Sequence, residues 1–172
     1  IGHENMGTII EKGKNVKDFE TGDRVIADPI LSCKVRGIEE ECESCKSGNT
    51  ALCSNFTKGC LSPGMSIGSC RDTGGSWGEY YIAHKSQLLR LKDDTKGEDA
   101  VLVDAIASAL HPVARNFPDD NEKVLVVGSG IIGLMTVASL RALGSKCNIT
   151  ILARHKFQGD LVVHYGSDNV VY

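Results

Sequence analysis

Lys123–Gly144 reads KVLVVGSGIIGLMTVASLRALG. Lys123–Val127 has the short apolar character of a strand buried in a sheet. Gly128-Ser129-Gly130-Ile131-Ile132-Gly133 is a turn, and Leu134–Leu143 reads as a helix ended by Gly144. A G-x-G-x-x-G turn by itself is a weak signal, because glycines gather at many turns. Between a strand and a helix it has a mechanical reading. The first glycine admits the tight turn, the second lets backbone approach a pyrophosphate, and the third lets the helix lie close to the strand. Phosphates then meet unpaired N–H groups at the helix N-terminus. The plainer alternative is a glycine-rich turn that packs an α/β unit and holds no ligand. Toward the C-terminus the same grammar repeats. Cys147–Leu152 is a second strand, Phe157–Tyr165 a poorer helix ended by Gly166, and Asn169–Tyr172 the start of a third strand. This βαβαβ order predicts the first half of a doubly wound parallel sheet.

The end of the second strand bears on the ligand. A residue there meets the adenosine ribose, and a carboxylate would favour NAD. The strand ends Leu152-Ala153-Arg154-His155-Lys156, with no carboxylate and three side chains able to carry positive charge. That suits a 2′-phosphate and predicts NADP over NAD. A basic surface turn without a cofactor contact is the alternative. The candidate coenzyme residues are Gly128, Gly130, Ile131, Ile132, Gly133 and Arg154.

Working toward the N-terminus, Asn116–Glu122 (NFPDDNE) is polar, contains Pro118, and is the best linker in the chain. It predicts domains over residues 1–117 and 118–172. Before it, Lys96–Arg115 reads as helix, with Ile106, Ala109, Leu110, Val113, Ala114 and Phe117 on one face. Asp104 stands where an N-cap would stand, and Pro112 should bend the helix. Earlier still, Met6–Lys12, Arg24–Ala27, Gly78–Ala83 and Gln87–Leu91 read as short strands between glycine turns, the grammar of a β-barrel. Ser54–Gly75 is aperiodic and glycine-rich, and reads as loop.

Within that half, Cys33–Cys53 reads CKVRGIEEECESCKSGNTALC, a C-x8-C-x2-C-x7-C array. Four cysteines in one polar segment make a poor core. A C-x2-C turn aims two sulfurs at one ion, and the flanking loops supply two more, so Cys33, Cys42, Cys45 and Cys53 predict a structural zinc site. A disulfide pair and a redox C-x-x-C are the competing readings. Seven cysteines, an odd count, with no signal peptide, predict a reducing, cytoplasmic setting. The 172 residues carry 41% hydrophobic side chains, enough for a packed core, and a net charge of −3. That balance argues against nucleic acid as partner, and with it against a zinc-ribbon reading. The most apolar stretch, Val124–Leu140, is too short and too broken by glycine for a membrane span.

Taken in order, Gly2-His3-Glu4-x2-Gly7, Gly22-Asp23-Arg24-Val25, the four cysteines, Gly74-Gly75-x2-Gly78-Glu79-Tyr80 and GSGIIG form a series over essentially the whole chain. The series resembles the zinc-dependent medium-chain dehydrogenase/reductase family, the alcohol and polyol dehydrogenases. The resemblance implies a partial GroES-like β-barrel catalytic domain followed by the first half of a Rossmann fold, and a chain that is a piece of a longer protein lacking both ends. It implies a structural zinc on Cys33, Cys42, Cys45 and Cys53, although the family more often has C-x2-C-x2-C-x7-C and the first gap here is longer. It also implies a catalytic zinc held by His3, with Glu4 beside it as an outer or exchanging ligand. The sorbitol-dehydrogenase-like branch places a carboxylate in an L-V-E-P segment. Leu102-Val103-Asp104-Ala105 matches it, which makes Asp104 a candidate metal ligand as well as a candidate cap. His111 lies seven residues on, and reads as a partly buried helix histidine. The family's remaining catalytic cysteine would precede Ile1. The implied activity is hydride transfer between a small-molecule alcohol (a polyol, sugar or amino alcohol) and NAD(P), in a homo-oligomer when full length. A non-catalytic zinc-binding piece is the rival function.

Overall fold

Side-chain alternation organises the first half of the chain. In the computed structural model, which describes residues 1–172, β1 (Gly7–Thr8), β2 (Arg24–Ala27) and β3 (Leu88–Arg90) form an antiparallel sheet with β2 central. Thr8 faces Arg24, and Ala27 faces Leu88. Val25 and Ala27 are buried while Arg24 and Ile26 are only half-buried, the period of two that one covered face requires. Ala27 packs with Leu31, Ile67 and Cys70, flanked by Leu61, Tyr81 and Leu88. Between β2 and β3 the chain makes a long excursion containing one short helix, α1 (Glu43–Lys46).

Two of the expected strands shrink. Met6–Lys12 is strand only at Gly7–Thr8, although pairing continues loosely through Ile9 N–H to the Asp23 carbonyl at 3.0 Å. Gly78–Ala83 is not a strand and keeps a single bridge, Gly74 to Tyr81. The reason is visible at Asn5, which is buried. Its amide nitrogen donates to the Ala27 carbonyl at 3.0 Å and its amide oxygen accepts from the Ala27 N–H at 2.8 Å. A side chain thus fills the place of a backbone rung. The Tyr81 hydroxyl donates to the same amide oxygen at 2.8 Å, holding its segment without a ladder.

The expected helix Lys96–Arg115 is broken into α2 (Gly97–Ala100) and α3 (Val103–Arg115). The α3 N-cap is Leu102, so Asp104 lies in the first helical turn and is not the cap. Pro112 is accommodated inside α3. It is exposed, as is Ser108 four residues before it, so the carbonyl that loses its partner faces water. The buried face is Ala105, Ala109 and Val113, rotated from the expected stripe; Phe117 is exposed, and so is His111.

By contact the chain parts into Ile1–Val101 and Leu102–Tyr172, earlier than the linker-based division at 117/118. The small side chains of α3 explain the shift. Ala105 and Ala109 pack against Met135, and Val113 joins the aliphatic core of the second unit. That unit continues as β4 (Lys123–Val127), α4 (Ile131–Ala142), β5 (Asn148–Leu152), α5 (Lys156–His164) and β6 (Asn169–Val171). Its three strands are parallel in the order β4-β5-β6. Ile149 and Ile151 of central β5 are completely buried, with Val137, Leu140, Cys147 and Val162 around them. The expectation that β4 is buried does not hold on both faces. Val124 and Val126 turn inward, but Leu125 is 64% and Val127 74% exposed. β4 is an edge strand, and its outward face continues across Leu152 and Val171, which are also exposed.

Candidate metal centre and nucleotide site

The cysteine segment has little regular structure and is shaped by its turns. Cys42 precedes α1 in extended conformation, and Cys45 lies within that helix. A 3-10 turn, Thr50–Leu52, then delivers Cys53, whose N–H donates to the Thr50 carbonyl at 3.0 Å. Cys33 arrives from the other side of the longer gap, and the structure brings all four together. Their sulfurs lie within 4.8 Å of one another, and the pair Cys33–Cys53 is 3.7 Å apart. A tetrahedron of thiolates about 2.3 Å from zinc has edges of roughly 3.8 Å. All seven cysteines are free thiols, so the disulfide reading fails.

The surroundings fit a metal thiolate. The Cys42 N–H donates to Cys33 Sγ at 3.4 Å, and the Asn55 side-chain amide to the same sulfur at 3.3 Å. The Asn55 N–H donates to Cys53 Sγ at 3.4 Å. Ile38 and Phe56 pack against the group. The four groups titrate unlike one another. The backbone N–H of Ser54, then that of Cys45, draws Cys42 down to about 6. Burial opposes ionisation of Cys33, but the Cys42 N–H and the Asn55 amide outweigh it and bring its pKa down. Burial pushes Cys45 up to about 12 and raises Cys53 as well. Four thiolates this close would need a cation among them. The donor set, its spacing and its outer hydrogen bonds fit a closed structural zinc site.

The glycine turn also has the geometry its spacing predicts. Gly128 adopts φ +100°, which favours glycine. A Cβ on Gly133 would run into the Gly128 carbonyl, so the third glycine is required by the turn itself. Gly130 differs: its φ is an ordinary −73°, and a Cβ there would meet no atom of the protein. What a side chain would fill is the approach to the α4 N-terminus, the place a pyrophosphate needs. Ile131 and Ile132 head that helix, both partly exposed. A groove of about 580 Å³ runs from Gly128, Ser129 and Gly130 to Leu152, Arg154 and His155. Arg154 is therefore on the same groove as the glycines. Sequence reasoning missed Gln158, which lines the groove and bonds the buried Ser129 hydroxyl at 3.2 Å. Its helical position gives no signal.

His3 and Glu4 lie in the first unit, exposed, just before β1; Asp104 lies in the second, half-buried in α3. The segment carrying His3 is held closely. Ser76 N–H donates to the Gly2 carbonyl at 3.1 Å and Trp77 N–H to that of Ile1 at 3.0 Å. Cβ atoms on Gly68 and Gly75 would collide with the Gly2 and Ile1 backbone. The Asn5 amide donates to the His3 carbonyl at 2.7 Å as well as to Ala27, tying His3 to β2. Sequence reasoning missed Asn5 too, because a single asparagine carries no pattern.

Residues 1–93 match the family model described as alcohol dehydrogenase GroES-like domain. An L-threonine 3-dehydrogenase of Shewanella sediminis is 30% identical over 99% of this chain, which spans 45% of that protein's length. A zinc-binding dehydrogenase of Sinorhizobium meliloti 1021, solved with NADP bound, superposes with a TM-score of 0.82 at 26% identity, over 98% of this chain and 44% of the other. An alcohol dehydrogenase of Escherichia coli CFT073, complexed with NADH, superposes at 0.78 with 25% identity, over 99% and 46%. No helix here is long and apolar enough to cross a membrane. With the cysteine quartet, the antiparallel sheet and the start of a parallel one in place, the match over its first 93 residues makes this chain a member of the alcohol dehydrogenase GroES-like domain family.

Proposed function

We propose that this chain is part of a zinc-dependent oxidoreductase that moves a hydride between the carbon of a small alcohol and a nicotinamide coenzyme. The carrying observation is the glycine turn, where Gly130 leaves the α4 N-terminus open although nothing in the protein requires a glycine there. In this reading Cys33, Cys42, Cys45 and Cys53 hold a zinc that shapes the lobe; with four thiolates it keeps no position for substrate. His3, with Glu4 alongside, and Asp104 are each a candidate ligand of the catalytic zinc in the whole protein. When bound, that metal supplies Lewis-acid polarisation of the alcohol oxygen. Asn5 ties the His3 backbone to β2. Gly128–Gly133 seat the pyrophosphate, and Arg154, with His155 and Lys156 beyond it, faces the ribose. That favours NADP over NAD, since a guanidinium pairs with a 2′-phosphate and finds no carboxylate to compete with it here. The substrate is a polyol, sugar or amino alcohol, and the working protein is a cytoplasmic homo-oligomer with neither a nucleic-acid nor a membrane partner.

Coenzyme kinetics of the whole protein test this. NADP⁺ should be preferred, and Arg154→Ala should cut kcat/KM for NADP⁺ by roughly tenfold while sparing NAD⁺. A strong NAD⁺ preference untouched by that substitution would sink the basic-pocket reading. A second reading has its own support, since the chain spans 45% of its relatives' length. By itself it would be a zinc-binding piece without turnover. Alcohol oxidation by the isolated 172-residue chain would rule that out.

A further inference from the structure

Arg36 is completely buried, yet it belongs to none of the chain's ion pairs. Its guanidinium spends its donors on backbone carbonyls: Lys58 at 2.8 Å, Leu61 at 3.0 Å, Ser62 at 3.0 Å and Gly64 at 2.6 Å. The remaining donor, Nε, has no partner. A buried cation without a direct counter-ion is costly, and carbonyl dipoles offset part of that cost. The Asp72 carboxylate reaches the strap at one remove, through the N–H and hydroxyl of Ser62, whose carbonyl accepts from Arg36.

The residue sits in the longer first gap of the cysteine array. That gap is folded into a closed turn. Arg36 N–H donates to the Ser32 carbonyl at 3.0 Å, and Ile38 N–H to that of Cys33 at 2.9 Å, with Gly37 at φ +65° between them. Arg36 thus follows Cys33 by three residues within one closed turn. The opposite strap closes on it as well. Cys60 N–H donates to the Arg36 carbonyl at 3.0 Å, and a Cβ on Gly59 would collide with that same carbonyl. Four thiolates around a divalent cation would carry two net negative charges, and the turn that presents Cys33 is the turn that carries Arg36.

We propose that Arg36 is a positioning residue for the metal centre: it clamps the Lys58–Gly64 strap across the longer gap, and zinc occupancy and strap closure are thereby coupled. The inference rests on the zinc reading of the quartet. Coupling is reciprocal, so zinc tightens the strap and the clamped strap retains zinc.

The test uses the unsubstituted chain first. Amide exchange is followed by mass spectrometry with zinc bound and after chelation. Exchange at Cys60 and Gly64 should accelerate at least tenfold on zinc removal, while Ile149 and Ile151 stay unchanged. Release of zinc to a chelator is then timed for Arg36→Lys, Arg36→Met and, as control, Arg115→Met. Arg36→Met should release zinc about 10-fold faster or more. Arg36→Lys should fall between, keeping the charge but not the reach to four carbonyls. Exchange at Cys60 that ignores zinc overturns the clamp, whether or not Arg36→Met folds. So does release at the parent rate from Arg36→Met. If the unsubstituted chain takes up no zinc, the metal reading itself fails, a result distinct from either of these.

Discussion

The cysteine lobe and the parallel unit solve the same problem by opposite means. The parallel unit buries Ile149, Ile151, Val137 and Val162 completely, and each lies where a period of two or of about 3.6 puts it. Its order comes from aliphatic packing between regular elements. The lobe has one four-residue helix and a 3-10 turn, and its buried side chains are cysteines and an arginine. It buries sulfur and charge, groups that repel one another until a cation joins them. The parallel unit is organised by removal of apolar surface from water, the lobe by polar closure around four cysteines placed to share a cation.

The largest effect that would break this contrast comes from Cys42→Ser combined with Cys45→Ser. Zinc should fall from one per chain to none by elemental analysis, while the parallel unit keeps its helical signal. Metal content unchanged by that pair would remove the contrast altogether. Next is Ile149→Ala, expected to cost about 2–5 kcal/mol in urea unfolding with no change in bound zinc. Loss of zinc from Ile149→Ala would mean that the two regions are not independent. The glycines sharpen the difference between structural and ligand-facing positions. Gly133→Ala should destabilise by about 1–3 kcal/mol, because the turn's own carbonyl occupies the space. Gly130→Ala should leave the melting temperature unchanged or slightly raised and weaken coenzyme binding in a fluorescence titration.

The smallest effect is a pH dependence at Asp72. The Ser62 hydroxyl and N–H donate to its carboxylate at 2.7 and 2.6 Å and hold its pKa below the usual 3.8. The unfolded chain therefore takes up the proton first. Stability rises with pH in the window just under 3.8, and the contribution is present above it and lost as the folded carboxylate protonates. Asp72→Asn should flatten the urea midpoint between about pH 3 and 4 only slightly, since the group is partly exposed.

The parallel unit is legible because its signals are periodic and punctuated. Lys123–Val127 is strand as read, and the helices and the other two strands begin or end within three residues of the expected places. The first unit is less so. Its short strands are set by partners distant in sequence, and one rung is a side chain, Asn5, that no period announces. The helix before the linker reads only partly right: Ala109 and Val113 of the expected stripe are buried, but Ala105 joins them, while Ile106 and Leu110 are only half-buried. The quartet is legible by composition, including Cys33 across its longer gap. Arg36 is not, since a lone arginine in a charged loop looks like surface until the loop closes on it.

The outward face of the parallel sheet has a practical consequence. Leu125, Val127, Leu152 and Val171 stand in water on one face of the sheet, with Lys123 the charge at its edge. Such a surface sets colloidal behaviour as much as fold does. Ammonium sulfate, which strengthens apolar association, should bring this chain out of solution early, and an environment-sensitive dye should brighten on it while the chain is still fully folded.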